Sequence, residues 1–397
     1  MKNTKLWEKE NGTLDREIEA FTVGKDYLAD QKLVKFDCIA STAHAKMLEK
    51  NGIITSFEFE QLRKCLAEIS DLAGNNEFEI KMQDEDCHTA IENFLVAKLG
   101  KTGQKIHSFR SRNDQVMAAL RLYMRNEIAQ TETTASGLVN ELKIFSKKNK
   151  KIKMPGYTHM RKAMPSTAGI WASAFAESFC DGIKLLKSCG KLVDQNPLGS
   201  AAGYGLPAEI NREITTKLLG FNKTQKNPLY CANSRGKFEA IAIFPLSQLM
   251  LDINKLATDM LLFSTEEFGY FILPKEFLTG SSLMPQKRNP DALELLRANS
   301  HTVQAELFRT LNILSNLPSG YNRDFQLTKE ALINAFETTK ASLKIAAKVI
   351  SRLEVDKEKC AQAMAPEIFA AEKALEKTQK GIPFREAYKQ TAREFFK

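Results

Sequence analysis

The chain has 397 residues, which at roughly 150 per domain suggests two or three domains. Apolar types make up 43% and charged types 26%, a balance that excludes collagen-like, disordered and disulfide-dense classes. The net charge of +9 permits acidic partners or substrates and requires none.

No run of about 18 uninterrupted apolar residues occurs, so no membrane partner is expected. The start, MKNTKLWEKENG, lacks the apolar core of a secretory signal. The seven cysteines are scattered without a CxxC pair, as reduced thiols in a cytoplasmic protein would be. The histidines, His44, His88, His107, His159 and His301, show no metal-ligand spacing, so neither a metal nor another cofactor is expected.

In chain order, the first hundred residues read as short helices, for example Phe57 to Ala73. Asp84, Glu85 and Asp86 suit the cap of a helix beginning near His88. Arg110 to Gln115 reads as a loop entering a long helix over about 114–149. The lysines between Lys143 and Lys153 fall at that helix's C-terminal end, where cations are favoured by the dipole. Without interleaved aromatic residues they read as a solvated end, and no nucleic-acid partner is expected.

Pro155-Gly156-Tyr157-Thr158-His159 breaks the pattern before a second helix over about 165–195. Next comes the apolar seam Ala242, Leu246, Leu249, Ile253, Leu256, Met260, Phe263, in which Pro245 predicts a kink or a boundary. A polar stretch, Gly280 to Asp291, follows. Its glycine and serines make a turn, Pro290 and Asp291 suit a helix start, and Lys287 and Arg288 flank it. Alone, these residues fit either an anion-binding loop or a basic connection between helices.

Two more seams run Leu293, Leu296, Ser300, Val303, Leu307, Thr310, Leu314 and Leu332, Phe336, Thr339, Leu343, Ala346, Ile350, Leu353. A small helical tail surrounds Gly381-Ile382-Pro383. The expected architecture is all-α: a helical domain over 1–108, a central long-helix bundle over 109–352, and a short helical domain over 353–397.

The stretch GSSLMPQKRNPD resembles the signature loop of the fumarase/aspartase superfamily. Within it, Leu6-Trp7, RSRNDQV at 110–116, PGYTH at 155–159 and PLGSAAGYG at 197–205 resemble the argininosuccinate lyases, over most of the chain. The resemblance implies β-elimination of argininosuccinate to L-arginine and fumarate, the last step of arginine biosynthesis. It also implies a homotetramer whose active sites are shared between subunits.

By resemblance, Ser281 is the base, held as an oxyanion by local positive field, and Lys287 meets the carboxylate where charge accumulates. His159 is the acid that protonates the leaving nitrogen, and Glu294 orients it. Arg112, Asn113, Thr158 and Ser282 match residues that hold the fumarate end. Tyr321, Gln326 and Lys329 match residues that grip the arginine end. His88, Arg235 and Asn289 match further pocket positions, and Thr22 falls where serine is usual.

The chain departs from the pattern in places. Phe109 stands where glycine is usual, so it is expected either to forbid a positive φ or to crowd the substrate, and a glycine there should serve better. Arg161 stands where glutamine is usual, and the C-terminal region is expected to be short. The alternative readings are another fumarate-releasing lyase, such as an adenylosuccinate lyase, or a noncatalytic structural paralogue. Tyr321, Gln326 and Lys329 favour argininosuccinate. Retention of Ser281, His159, Lys287 and Glu294 disfavours a pure scaffold.

Overall fold

A computed structural model describes residues 15–395, so the Leu6-Trp7 start lies outside the described residues. The architecture is all-α, as the seams require. Five long helices dominate: Arg112–Lys148, Ala168–Val193, Lys237–Phe263, Asp291–Leu314 and Thr328–Arg352. The first, of 37 residues, is about 55 Å long at 1.5 Å per residue.

Every residue of the 242–263 seam and of the 332–353 seam is buried, including Thr339. In the 293–314 seam Leu293, Leu296, Ser300, Val303 and Thr310 are buried, while Leu307 and Leu314 are half-buried. Asp291 opens its helix directly after Pro290, as expected. Pro245 does not end its helix: Lys237–Phe263 runs through it. Proline removes one hydrogen bond to the preceding turn, but Ala242, Leu246 and Leu249 on both sides are fully buried and hold the helix together. The stretch 228–263 is long and apolar enough, by length and composition, to cross a membrane. Its seam is buried inside the protein, the pattern of a core helix.

The contacts divide the chain into two compact units, and each long helix contributes a part to both. The first unit comprises the residues up to Gln130 with Leu185–Leu246 and Val303–Glu337. Its helix Ser56–Gly74 starts on a reciprocal Thr55–Glu58 cap. Phe36, Tyr123 and Phe336 pack edge to face in series, at 5.7 and 6.2 Å. Buried Arg121 lies 4.3 Å over the Phe238 ring and donates to Gln195 O, Gln225 Oε1 and Ser234 Oγ, so it ties its helix to the connections around 195, 225 and 234.

The second unit comprises Thr131–Lys184, Ser247–Thr302 and the residues from Thr338 onward. Trp171 donates to Asp259 at 2.9 Å and packs with Phe145 and Phe271. Here the reading of 150–165 as a break between helices is corrected: Lys153–Thr158 and Arg161–Thr167 pair as an antiparallel hairpin. The helices Ala370–Gln379 and Phe384–Phe395 form the tail, joined by Lys377 and Glu394 at 2.6 Å.

Candidate active site

In the first unit a cavity of about 200 Å³ opens at the start of the Arg112–Lys148 helix. It gathers residues from distant parts of the sequence: His88, Arg112 and Asn113, then Arg235, then Tyr321, Gln326 and Lys329. Seven of the expected binding residues therefore meet around one space. It is strongly polar and carries both signs of charge, with Asp26, Glu85 and Asp86 facing Arg112, Arg235, Arg323 and Lys329. Such a lining suits a small zwitterion better than an apolar ligand.

His88 is buried, and its Nδ1 lies 3.0 Å from Asp37 Oδ2. Burial opposes charge on His88, but Asp37 first, then Asp86 and Asp30, outweigh it and raise its pKa. Asp37 is held by Gln115 at 3.0 Å to each oxygen and by Ser41 at 3.3 Å. Burial works against its ionisation, and His88, Arg110 and Gln115 together still hold it below its usual value. The pair thus favours imidazolium and carboxylate. Among the described residues, His88 Nε2 is buried without a hydrogen-bond partner. A buried, charged N–H on a cavity wall lacks only an anionic acceptor.

Lys329 is held between Asp26 Oδ2 at 2.7 Å and Asp30 Oδ1 at 2.5 Å. Arg235 pairs with Glu239 at 3.0 Å. Arg112 lies 3.6 Å from Asp86 and 3.7 Å from Glu85. Gln326 spends its amide on the carbonyls of Thr22 and Val23, 3.1 Å each. Thr22 itself is not in the cavity lining, because its hydroxyl turns back to Ile18 O at 2.9 Å and Glu19 O at 3.1 Å. Asp26, four positions on, lines the cavity without belonging to any motif, since a lone acid in a polar stretch carries none.

Asp114 organises the RSRNDQV segment. It is fully buried and accepts the backbone N–H groups of Ser111 at 2.9 Å and of Gly199 and Ala201 at 2.8 Å each. One carboxylate thus fastens the PLGSAAGYG loop to the helix that carries Arg112 and Asn113. Phe109 adopts φ +60°, so the bulky residue takes the left-handed backbone conformation after all, and it is absent from the cavity lining. Phe109 therefore does not forbid the positive φ.

The second unit carries Thr158, His159, Ser281, Ser282, Lys287, Asn289 and Glu294, none of which lines the first unit's cavity. His159 and Met160 form the two-residue tip of the hairpin, with φ +50° and +58° and Thr158 paired to Arg161. Two successive positive φ values match a type I′ turn, normally filled by Asn and Gly. Here two larger side chains hold that conformation, and His159 is presented exposed at the end of a rigid ribbon.

Ser281 sits on a loop closed at its stem by reciprocal backbone hydrogen bonds between Thr279 and Asn289, 2.9 Å each. Thr279 Oγ1 adds a bond to Asp291 at 2.5 Å. Within the loop, Ser281 Oγ accepts the N–H groups of Leu283 at 3.3 Å and Met284 at 3.1 Å. Two amides converging on one oxygen favour negative charge there. Ser282 and Lys287 are exposed on the same loop, and Glu294 is exposed in the first turn of the following helix. Among the described residues, no hydrogen bond or ion pair joins His159 to Glu294 or to Ser281.

Asp30, Cys87 and His88 bring three donor atoms within 4.8 Å of one another. Asp30 already receives Lys329 and the Cys87 N–H at 3.1 Å, and His88 Nδ1 is taken by Asp37. Burial, with Asp30 and Asp37 nearby, pushes the Cys87 thiol well above its usual range. The trio reads as an internal polar network rather than a metal centre.

The profile of the family described as "Lyase" matches residues 8–305, so this long-helix bundle is a lyase. An argininosuccinate lyase of Thermotoga neapolitana is 46% identical over 391 residues, 98% of this chain and 98% of its own length. One of Parabacteroides distasonis is 41% identical over 97% of this chain and 86% of its own. A class II fumarase from Schistosoma mansoni superposes with a TM-score of 0.81 at 18% identity, covering 96% of this chain and 89% of its own, a likeness of fold. The chain belongs to the argininosuccinate lyase family.

Proposed function

We propose that the protein cleaves argininosuccinate to L-arginine and fumarate as the last step of arginine biosynthesis. The observation that carries this reading is the near-full-length relation to argininosuccinate lyases.

The reaction removes a weakly acidic proton from the carbon next to a succinyl carboxylate and breaks the C–N bond on the neighbouring carbon. Ser281, as alkoxide, takes the proton; the amides of Leu283 and Met284 stabilise that alkoxide beforehand. Lys287 meets the carboxylate onto which the electron pair spreads. The pair then forms the fumarate double bond as the C–N bond breaks, and His159 gives a proton to the departing guanidino nitrogen, with Glu294 orienting the imidazole. Arg112, Asn113, Thr158, Ser282 and the free Nε2–H of His88 hold the succinyl carboxylates. Tyr321, Gln326 and Lys329 face the arginine end, with Arg235 beside them in the cavity, while Asn289 serves from the loop that carries Ser281. Thr22 contributes its backbone carbonyl to the placement of Gln326. Proton transfer between such groups calls for no metal or organic cofactor.

The working form is a cytoplasmic homotetramer in which Ser281 and His159 of one site come from different chains. The support is that seven of the binding residues share one cavity while the proton-transfer residues stand on a loop and a hairpin tip, as parts awaiting a partner surface would. Product analysis tests the reaction: purified protein given argininosuccinate should yield arginine and fumarate in equal amounts, and any other product pair would refute it.

A further inference from the structure

The outer part of the hairpin at 153–167 does not owe its rigidity to its own ladder. A bulge falls between Pro155 and Tyr157, and the rung beneath it sets Pro155 opposite Pro165. Neither proline has an N–H to give to the ladder. Beyond that break two rungs remain, Tyr157 with Lys162 and Thr158 with Arg161, before the turn at His159 and Met160. Two-stranded hairpins are marginal in water even when unbroken. Yet the turn keeps two non-glycine residues at positive φ, a conformation that persists only where the surroundings impose it.

The restraint comes from outside the hairpin, at a single rung. The hydroxyls of Tyr157 and Tyr270 share a hydrogen bond at 2.7 Å. Across the rung, Lys162 donates from Nζ to Ala363 O at 2.8 Å. Both strands are thus fastened within three residues of His159. Lys162 is exposed, so water competes for its bond. Tyr270 is buried and firmly seated. Its ring packs against Phe263 and Phe268 at 5.6 and 5.4 Å, its carbonyl accepts the N–H of Asp356 at 2.9 Å, and the adjacent Phe271 pairs with Val355. Tyr157 leans on the same two phenylalanines, at 5.9 and 5.7 Å. Burial holds the Tyr270 phenol above its usual range, so it stays neutral at neutral pH.

We propose that Tyr270 is a positioning residue: through Tyr157 it fixes His159 where its proton reaches the departing nitrogen. The proposal rests on the role of His159 given above and deepens it. Tyr270 lies outside the motifs and outside the lining of the first unit's cavity, so it acts only through the hairpin. A proton donor must stay within hydrogen-bond reach of its acceptor, and a displacement of about 1 Å costs up to about 100-fold in rate.

The test joins steady-state kinetics to hydrogen exchange read by mass spectrometry on the full chain. Tyr270→Phe keeps the ring and removes the hydroxyl. Amides of the 156–162 segment should then exchange about fivefold faster, the factor for one neutral hydrogen bond. The kcat for argininosuccinate should fall about tenfold, with KM within about twofold of the parental value. Tyr157→Phe should reproduce both changes, and serves the comparison if Tyr270→Phe does not fold. In a His159→Asn background, Tyr270→Phe should lower kcat no further. A purely structural tyrosine would lower it again, and that result overturns the proposal. So does unchanged exchange, an unchanged kcat, or a loss that falls on KM. Near-parental turnover in His159→Asn alone would instead refute the role of His159, and the hold of Tyr270 on the hairpin would still be read from the exchange.

Discussion

The hydroxyl of Ser281 accepts the backbone N–H of Met284 at 3.1 Å, and the N–H of Leu283 adds a second bond at 3.3 Å. A serine is a poor base until something stabilises its alkoxide, and on the proposed mechanism these two amides contribute to that. Ser281→Ala should therefore lower turnover by about 10²-fold or more. His159→Asn should do the same while keeping the hairpin, since Asn accepts the positive φ that His159 adopts. Both residues lie outside the buried core, so thermal unfolding midpoints should stay near the parental value. Near-parental turnover in either variant would remove its assigned role.

Phe109→Gly should change catalytic efficiency by no more than about twofold. The backbone already has φ +60°, and the ring is not in the cavity lining. Relief of a left-handed non-glycine residue gains roughly 1–2 kcal/mol. Loss of half-buried ring area and the added chain entropy of glycine cost about as much. Steady-state kinetics and urea midpoints check both statements; a several-fold rise in efficiency would show that the ring does reach the substrate.

Asp114 makes the fold's stability depend on pH. Burial raises its carboxyl to about 6, against the pull of three backbone N–H groups and Arg110. With the folded pKa above the unfolded value near 3.8, its contribution to stability is full below that value and is lost as pH rises through about 6. The loss is on the order of 3 kcal/mol by neutral pH. Asp114→Asn does not titrate. It should therefore gain on the parental protein by up to that amount between pH 4 and 7 in urea unfolding. A variant that loses ground over the same range would mean that the three N–H bonds outweigh the burial.

Legibility in the sequence varied with the kind of signal. The three apolar seams placed long helices because spacings of three and four survive tertiary packing, and even Ser300, Thr310 and Thr339 in them are buried. The hairpin at 153–167 was not legible, since its turn residues, His159 and Met160, lack the usual Asn-Gly signal. Pro245 predicts a kink or a boundary, and the boundary does not occur, because the helix runs through it with buried neighbours on both sides. In the candidate site, RSRNDQV and the GSS loop were visible as motifs. Asp26 and Asp37 were not, because their significance comes from Lys329 and His88, which are distant in sequence and close only in the fold.

Subunit sharing of the site predicts complementation. Ser281→Ala and His159→Asn chains, unfolded and refolded together, should regain activity in about a quarter of the sites, those that draw both intact residues from the appropriate chains. Mixed assemblies that stay inactive, while parental protein refolds fully by the same procedure, would mean that one chain supplies both residues.

The central claim is the reaction itself, and the rise in ultraviolet absorbance from fumarate tests it most directly. Purified protein, with a metal chelator present, is given argininosuccinate and adenylosuccinate in parallel. Steady fumarate release from argininosuccinate, and none above background from adenylosuccinate, is the predicted result. Release from adenylosuccinate alone, or release only after a divalent metal is restored, would contradict the account.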